Sequence, residues 1–200
     1  GTFRSFTMFL GGEKALIKNM TVLNEAGSGK IAGQAISIYA DAREARFENV
    51  RIAGCQDTLF CAPLPESERI PGGFMGPRKF TKRVPSEQVY TNCIIEGDVD
   101  FIFGGADALF YKCSIVSKAT CDIGYVSAPS TEKNGKGFIF YECSFSSESD
   151  EIDVYIARPW RPYGKTTLIK CKIGRHINKA GWDFWSDEAN KKTCRVSEYG

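Results

Sequence analysis

The chain has 200 residues, 42% of them apolar and 12% aromatic, with a formal net charge of +2. That is enough apolar material for one good core and excludes a disordered chain. The charge balance neither demands nor excludes a polyanionic partner, no stretch approaches the roughly 18 apolar residues of a membrane span, and neither a nucleic-acid nor a membrane partner is expected.

The opening, GTFRSFTMFLGGEK, lacks the basic and apolar blocks of a signal peptide. From Lys18 onward one short phrase keeps returning: KNMTV (Lys18 to Val22), ENVRI (Glu48 to Ile52), TNCII (Thr91 to Ile95), YKCSI (Tyr111 to Ile115), YECSF (Tyr141 to Phe145) and IKCKI (Ile169 to Ile173). Aligned, one column reads Met20, Val50, Cys93, Cys113, Cys143, Cys171, and a second, two residues on, reads Val22, Ile52, Ile95, Ile115, Phe145, Ile173. Apolar columns two residues apart predict strands with one face inward. Recurrence without long helical periodicity predicts an all-β chain, a parallel β-helix of stacked coils. An antiparallel β-sandwich with coincidental phrases is the alternative.

Four of the eight cysteines occupy the inward column, where a small apolar thiol packs well. Neighbouring parallel strands sit about 4.8 Å apart, too far and badly aimed for a disulfide. Free thiols are therefore expected at Cys93, Cys113, Cys143 and Cys171. Cys55 and Cys61 either pair or stay reduced. With one histidine, His176, and no CxxC pair, no zinc site is expected.

Between the second and third phrases, the segment from Ala62 to Gln88 contains five of the eight prolines and the Gly72-Gly73 pair. It predicts a long surface excursion at about 62–88 from a single domain spanning 1–200. Arg69, Arg78, Lys79, Lys82 and Arg83 lie in it and either attract an acidic polymer or solvate a loop.

Three further segments carry the chemistry: GCQDTLF (Gly54 to Phe60), GDVDFIFGG (Gly97 to Gly105) and YIARPW (Tyr155 to Trp160). No GxSxG elbow, HExxH or EF-hand pattern is present, which leaves carboxylates, amides and arginine. Asp100 sits in an apolar run beside Phe101, Ile102 and Phe103, where an ionised carboxylate needs a partner, and Arg158 is the candidate. Taken singly, each aspartate reads equally as a turn or cap. Strand alternation places Asp98 on the same face as Asp100.

With AGQAISI (Ala32 to Ile38) and AGWDFW (Ala180 to Trp185), these segments resemble, in order and approximate spacing, the pectin methylesterase (pectinesterase) family of right-handed parallel β-helices. The resemblance spans nearly the whole chain. It implies removal of methyl esters from galacturonate units of homogalacturonan, with release of methanol. Asp100, directly before FIFG, would be the nucleophile, oriented by Arg158, and Asp57 would act as acid and then base. Gln34 and Gln56 would stabilise the oxyanion, and Phe60, Phe103, Trp160 and Trp182 would line the sugar cleft. Such a division needs the Asp100 pKa lowered by the arginine and that of Asp57 raised.

No cofactor or metal is implied, the partner is methyl-esterified homogalacturonan, and a monomer is expected. The family suggests a secreted or cell-wall enzyme, whereas the unpaired thiols also fit a cytoplasmic bacterial one. Relative to the family the chain looks short at both ends, and the Phe3, Phe6, Met8, Phe9 cluster reads as an uncapped solenoid end. Ala157 stands where a glycine is usual, a change that crowds the substrate or shifts the strand. Two other readings stay open: a catalytically silent polysaccharide-binding β-helix, and a β-helical pectin glycosidase or lyase.

Overall fold

The computed structural model of the protein describes residues 1–200 and is built almost entirely of parallel strands in three sheets. The first sheet stacks Met8–Leu10, Ile38–Ala40, Leu59–Cys61, Val99–Gly104, Ile123–Pro129 and Asp153–Ala157. The second has seven strands, running from Lys14–Lys18 to Arg195–Tyr199, and the third has six, from Thr21–Leu23 to Lys172–Ile173. Each strand pairs in parallel with its counterpart one coil away, as Phe47 pairs with Tyr90 and Tyr90 with Phe110. This is a right-handed parallel β-helix, and the antiparallel sandwich is excluded.

The repeated phrase marks the corner between the second and third sheets. Its second residue, at Asn19, Asn49, Asn92, Lys112, Glu142 and Lys170, adopts a left-handed conformation with φ between 52 and 54°. Asparagine tolerates that region well. Lysine and glutamate are held there by the stack, because each corner N–H donates to a carbonyl of the following coil, as Asn92 does to Tyr111 and Lys112 to Tyr141. The next residue then points inward. Val50, Cys93, Cys113 and Cys143 are buried and Cys171 is partly so, but Met20 in the first coil is 39% exposed, since no earlier coil covers it.

All eight cysteines are free, Cys55 and Cys61 included. The column thiols donate to carbonyls of the preceding coil, Cys113 to Tyr90 at 3.4 Å, Cys143 to Phe110 at 3.2 Å and Cys171 to Phe140 at 3.3 Å. Beside them Phe47, Tyr90, Phe110 and Phe140 form a stack with centroid separations of 4.4, 4.7 and 4.7 Å. Such contacts add about 1 kcal/mol per pair to the burial of the rings themselves.

The first sheet is apolar on both faces. Ile38, Leu59 and Ile102 point into the coil interior, while Tyr39, Phe60 and Phe103 form a second cluster on the outer face with Phe3, Leu64 and Phe74. Leu64 and Phe74 come from the excursion, which therefore folds back as a cover over the first sheet and not as a free surface loop. Its charges are largely internal staples. Arg78 pairs with Asp41, Arg83 donates to the carbonyl of Arg78 at 2.6 Å, and the Glu68 carboxylate accepts from the N–H groups of Gly72 and Phe74 at 2.8 and 3.0 Å. Phe3 is only 4% exposed beneath this cover, whereas Phe6, Met8 and Phe9 of the same cluster are partly exposed.

Candidate active site

The outer face of the first sheet brings the sequence-predicted polar residues together, coil by coil. Gln34 follows the short helix Gly29–Ala32, in the coil that contains Ile38–Ala40. Gln56 and Asp57 occupy the turn before Leu59–Cys61, where Thr58 Oγ1 donates to the Cys55 carbonyl at 2.9 Å. Asp57 has φ 63°, and its N–H reaches the Val99 carbonyl of the next coil at 3.0 Å. Aspartate is one of the few non-glycine residues found routinely in that left-handed region.

Asp100 also has a positive φ, 49°, and lies where the register of Val99–Gly104 against Ile123–Pro129 shifts, between Val99 and Ile102. A bulge of this kind re-aims a side chain. It also breaks the alternation that placed Asp98 beside Asp100. The Asp98 carboxylate is buried elsewhere, accepting from the Val99 N–H at 2.6 Å and from Thr120 Oγ1. Gly97 makes the bulge possible, because a Cβ there would fall 2.2 Å from Cβ of Phe101.

Arg158 follows Asp153–Ala157, two coils beyond Asp100. Ala157 pairs with Ser127, and the next residue of that neighbouring strand, Ala128, pairs in turn with Phe103. The arginine side chain thus spans an intervening coil, passing over its Tyr125 ring. Its Nε and Nη2 donate to Asp100 Oδ1 and Oδ2, both at 2.7 Å. The Tyr125 ring lies 3.7 Å from the guanidinium and the Trp185 ring 4.0 Å. Asp183 braces both residues, accepting from Tyr125 Oη at 3.4 Å and from the backbone N–H of Trp185 at 2.5 Å.

A cavity of about 320 Å³ is lined by Gln34, Gln56, Asp57, Asp100, Phe103, Arg158 and Trp160. Two expected aromatics are absent from it. Phe60 is fully buried, sealed by Phe3 and Phe103 at centroid separations of 5.0 and 4.8 Å. Trp182 is drawn against the main core, where its backbone bridges to Ala157, and Trp185 takes the place at the cavity wall. Ala157 is itself buried and does not reach the cavity. Tyr125, Asp183 and Trp185 were not singled out from sequence. Two of them lie inside AGWDFW, so the motif carried the signal without saying which ring faces the site.

The two carboxylates differ electrostatically. Burial pushes Asp57 well above its ordinary range, and the Asp100 charge adds to that while Arg158 opposes it. Burial also raises Asp100, so the expected lowering by arginine does not prevail, but the fork from Arg158 pulls against the shift. Asp57 is thus the carboxyl more strongly biased towards its protonated form, and Asp100 the one whose charge an arginine balances directly. For Arg158, burial disfavours the charge, yet the bond to Asp100 keeps its pKa above the usual value.

The fold and cavity define a carboxylate-and-amide site on a parallel β-helix. The pectinesterase family model matches residues 1–64 and 82–200, and the chain belongs to that family. Pectinesterase 31 of Arabidopsis thaliana is 29% identical over 100% of this chain and 55% of its own length. Pectinesterase 1 of Solanum lycopersicum is 29% identical over 99% of this chain and 34% of its own. The chain therefore spans about a third to a half of the length of these relatives. Among solved structures, the pectin methylesterase from carrot superposes with a TM-score of 0.82 at 25% identity, covering 100% of this chain and 58% of that one. The rice weevil pectin methyl esterase gives 0.77 at 25% identity, covering 100% and 59%.

Proposed function

We propose that this protein is a carboxylic ester hydrolase that removes methyl esters from galacturonate units of pectin and releases methanol. The observation that carries the reading is the two-bond fork from Arg158 to Asp100, inside one cavity with Asp57, Gln34 and Gln56. Family membership supports it, as does a related pectin methylesterase solved in complex with a hexasaccharide, 27% identical with a TM-score of 0.69.

In this mechanism an Asp100 oxygen attacks the ester carbonyl carbon. The bond to methoxide breaks as protonated Asp57 transfers its proton to the departing oxygen, leaving a galacturonyl anhydride on Asp100 and free methanol. Asp57, now ionised, takes a proton from water. The hydroxide attacks the galacturonyl carbonyl of the anhydride, Asp100 leaves as carboxylate, and the galacturonic acid so formed gives up its proton to solvent and departs as the carboxylate. Amide N–H groups of Gln34 and Gln56 donate to the oxyanion in both halves, a contribution of about 3 kcal/mol per donor in comparable sites. Neutral amides do this without adding a charge that would disturb Asp57.

Trp160 presents ring surface to the sugar chain with the buried Phe103 packed behind it, and Trp185 replaces Trp182 in that role. The polymer is methyl-esterified homogalacturonan, met at the cell wall by a monomer folded as one domain. The buried thiol column is compatible with that setting, because its Sγ atoms are covered and bonded to carbonyls. The test is methanol release from methyl-esterified pectin, with product analysis for unsaturated or newly reducing ends. Methanol without chain cleavage supports the ester hydrolase, chain cleavage supports a lyase or glycosidase, and neither leaves only a binding protein.

A further inference from the structure

The family match is interrupted between residues 64 and 82, and this interval supplies Arg69, Ile70, Gly73 and Phe74 to the cavity wall. Arg69 Nη2 donates to the Trp160 carbonyl at 2.6 Å, and its guanidinium lies 5.5 Å from the Trp185 ring. Arg161 converges from the other side. Its Nη1 donates to the same Trp160 carbonyl at 3.0 Å and its Nη2 to the Ser67 carbonyl at 3.1 Å.

The two cations thus share one carbonyl oxygen, and no protein carboxylate pairs with either. Within the cavity Asp100 is taken by Arg158, and Asp57 makes no ion pair with Arg69 or Arg161. Burial and the Arg69 charge push Arg161 down to about 10, which is the signature of like charges held together without a counterion. Both guanidiniums retain N–H donors beyond those spent on carbonyls, since each carries five. An anion with planar, two-oxygen geometry suits such a pair better than a point charge.

We propose that Arg69 and Arg161 form a subsite for the free carboxylate of a uronate unit lying beside the esterified unit at Asp100. The inference rests on the ester-hydrolase reading and adds a requirement to it: the preferred substrate carries both a methyl ester and a nearby unesterified carboxylate. The excursion residue Arg69 makes this recognition a property of the segment that interrupts the family match.

Two measurements test the subsite. The first compares kcat/KM for methanol release from a fully methyl-esterified oligogalacturonate and from one de-esterified at about half its units, for the wild type, Arg69→Gln and Arg161→Gln, each checked for folding by circular dichroism. The wild type should favour the partly de-esterified substrate at least fivefold through KM, and the ratio should approach one in either variant. Equal wild-type values on both substrates overturn the subsite while leaving the ester-hydrolase reading intact. The second is calorimetric binding of unesterified trigalacturonate, which needs no turnover. Absence of methanol from every substrate would refute the ester-hydrolase reading alone. In that event, binding weakened about tenfold by Arg69→Gln still supports the arginine pair as a carboxylate site, and binding unchanged in both variants overturns it.

Discussion

Trp185 lies 4.0 Å from the Arg158 guanidinium and Tyr125 3.7 Å, so two aromatic rings contact the cation that grips Asp100. A cation against aromatic rings gains electrostatically, which favours the orientation that delivers both N–H groups to the carboxylate. Replacing Trp185 with alanine is expected to loosen this fork. Ester hydrolysis should fall about tenfold, mainly in kcat, with Trp185→Phe restoring most of the rate, as measured by steady-state methanol release.

Arg158 itself admits no such partial rescue. Its removal leaves Asp100 buried and unpaired, a situation that typically costs about 3–5 kcal/mol when one partner of a buried pair is deleted. Arg158→Leu should lower stability by roughly that amount in urea unfolding. A double variant that also carries Asp100→Asn should recover much of it, because no uncompensated charge remains.

Ala128 is a small residue of the intervening coil, placed between Phe103 and the strand that leads to Arg158. It lines the cavity and pairs with Phe103, one coil short of Arg158. Ala128→Leu adds side-chain volume to the cavity wall beside Asp100 and Arg158. The expected result is a folded protein with activity reduced at least a hundredfold, whereas Ala128→Gly should stay within about threefold of the wild type.

The raised Asp57 pKa gives a prediction about stability as well as rate. In the window between the ordinary carboxylate value and the raised one, the folded state binds the proton more tightly than the unfolded state. Stability therefore falls as pH rises through that window. Asp57→Asn removes the titration. The variant should gain in melting temperature relative to the wild type as pH is raised from about 4 to 7, and a constant difference across that range would contradict the shift.

The β-helix was legible because an inward column needs small or aliphatic residues at one position per coil, and the Val50, Cys93, Cys113 and Cys143 positions repeat that demand. Three things were not. The left-handed corners at Lys112 and Glu142 leave no trace in composition, since the stack and not the residue enforces them. Alternation assumed a regular strand, so the bulge that parts Asp98 from Asp100 could not be foreseen. Phe60 belongs to an outer face that is dry only because the excursion covers it, and a sequence cannot say which loop folds back. The polar set fared better: Gln34, Gln56, Asp57, Asp100 and Arg158 all reach one cavity because equivalent strand ends stack. The aromatic wall depended on turns: Trp185, with a positive φ of 57°, lies 4.0 Å from the Arg158 guanidinium, where the resemblance pointed to Trp182.

The central claim is that Asp100, and not its neighbour Asp98, attacks the ester. The most direct test is methanol release from methyl-esterified oligogalacturonate by Asp100→Asn and Asp98→Asn, run beside the wild type with folding verified for each. Loss of at least a thousandfold in the Asp100 variant, with a substantial rate kept by the Asp98 variant, is the predicted result. An active Asp100→Asn, or a folded but dead Asp98→Asn, would contradict it.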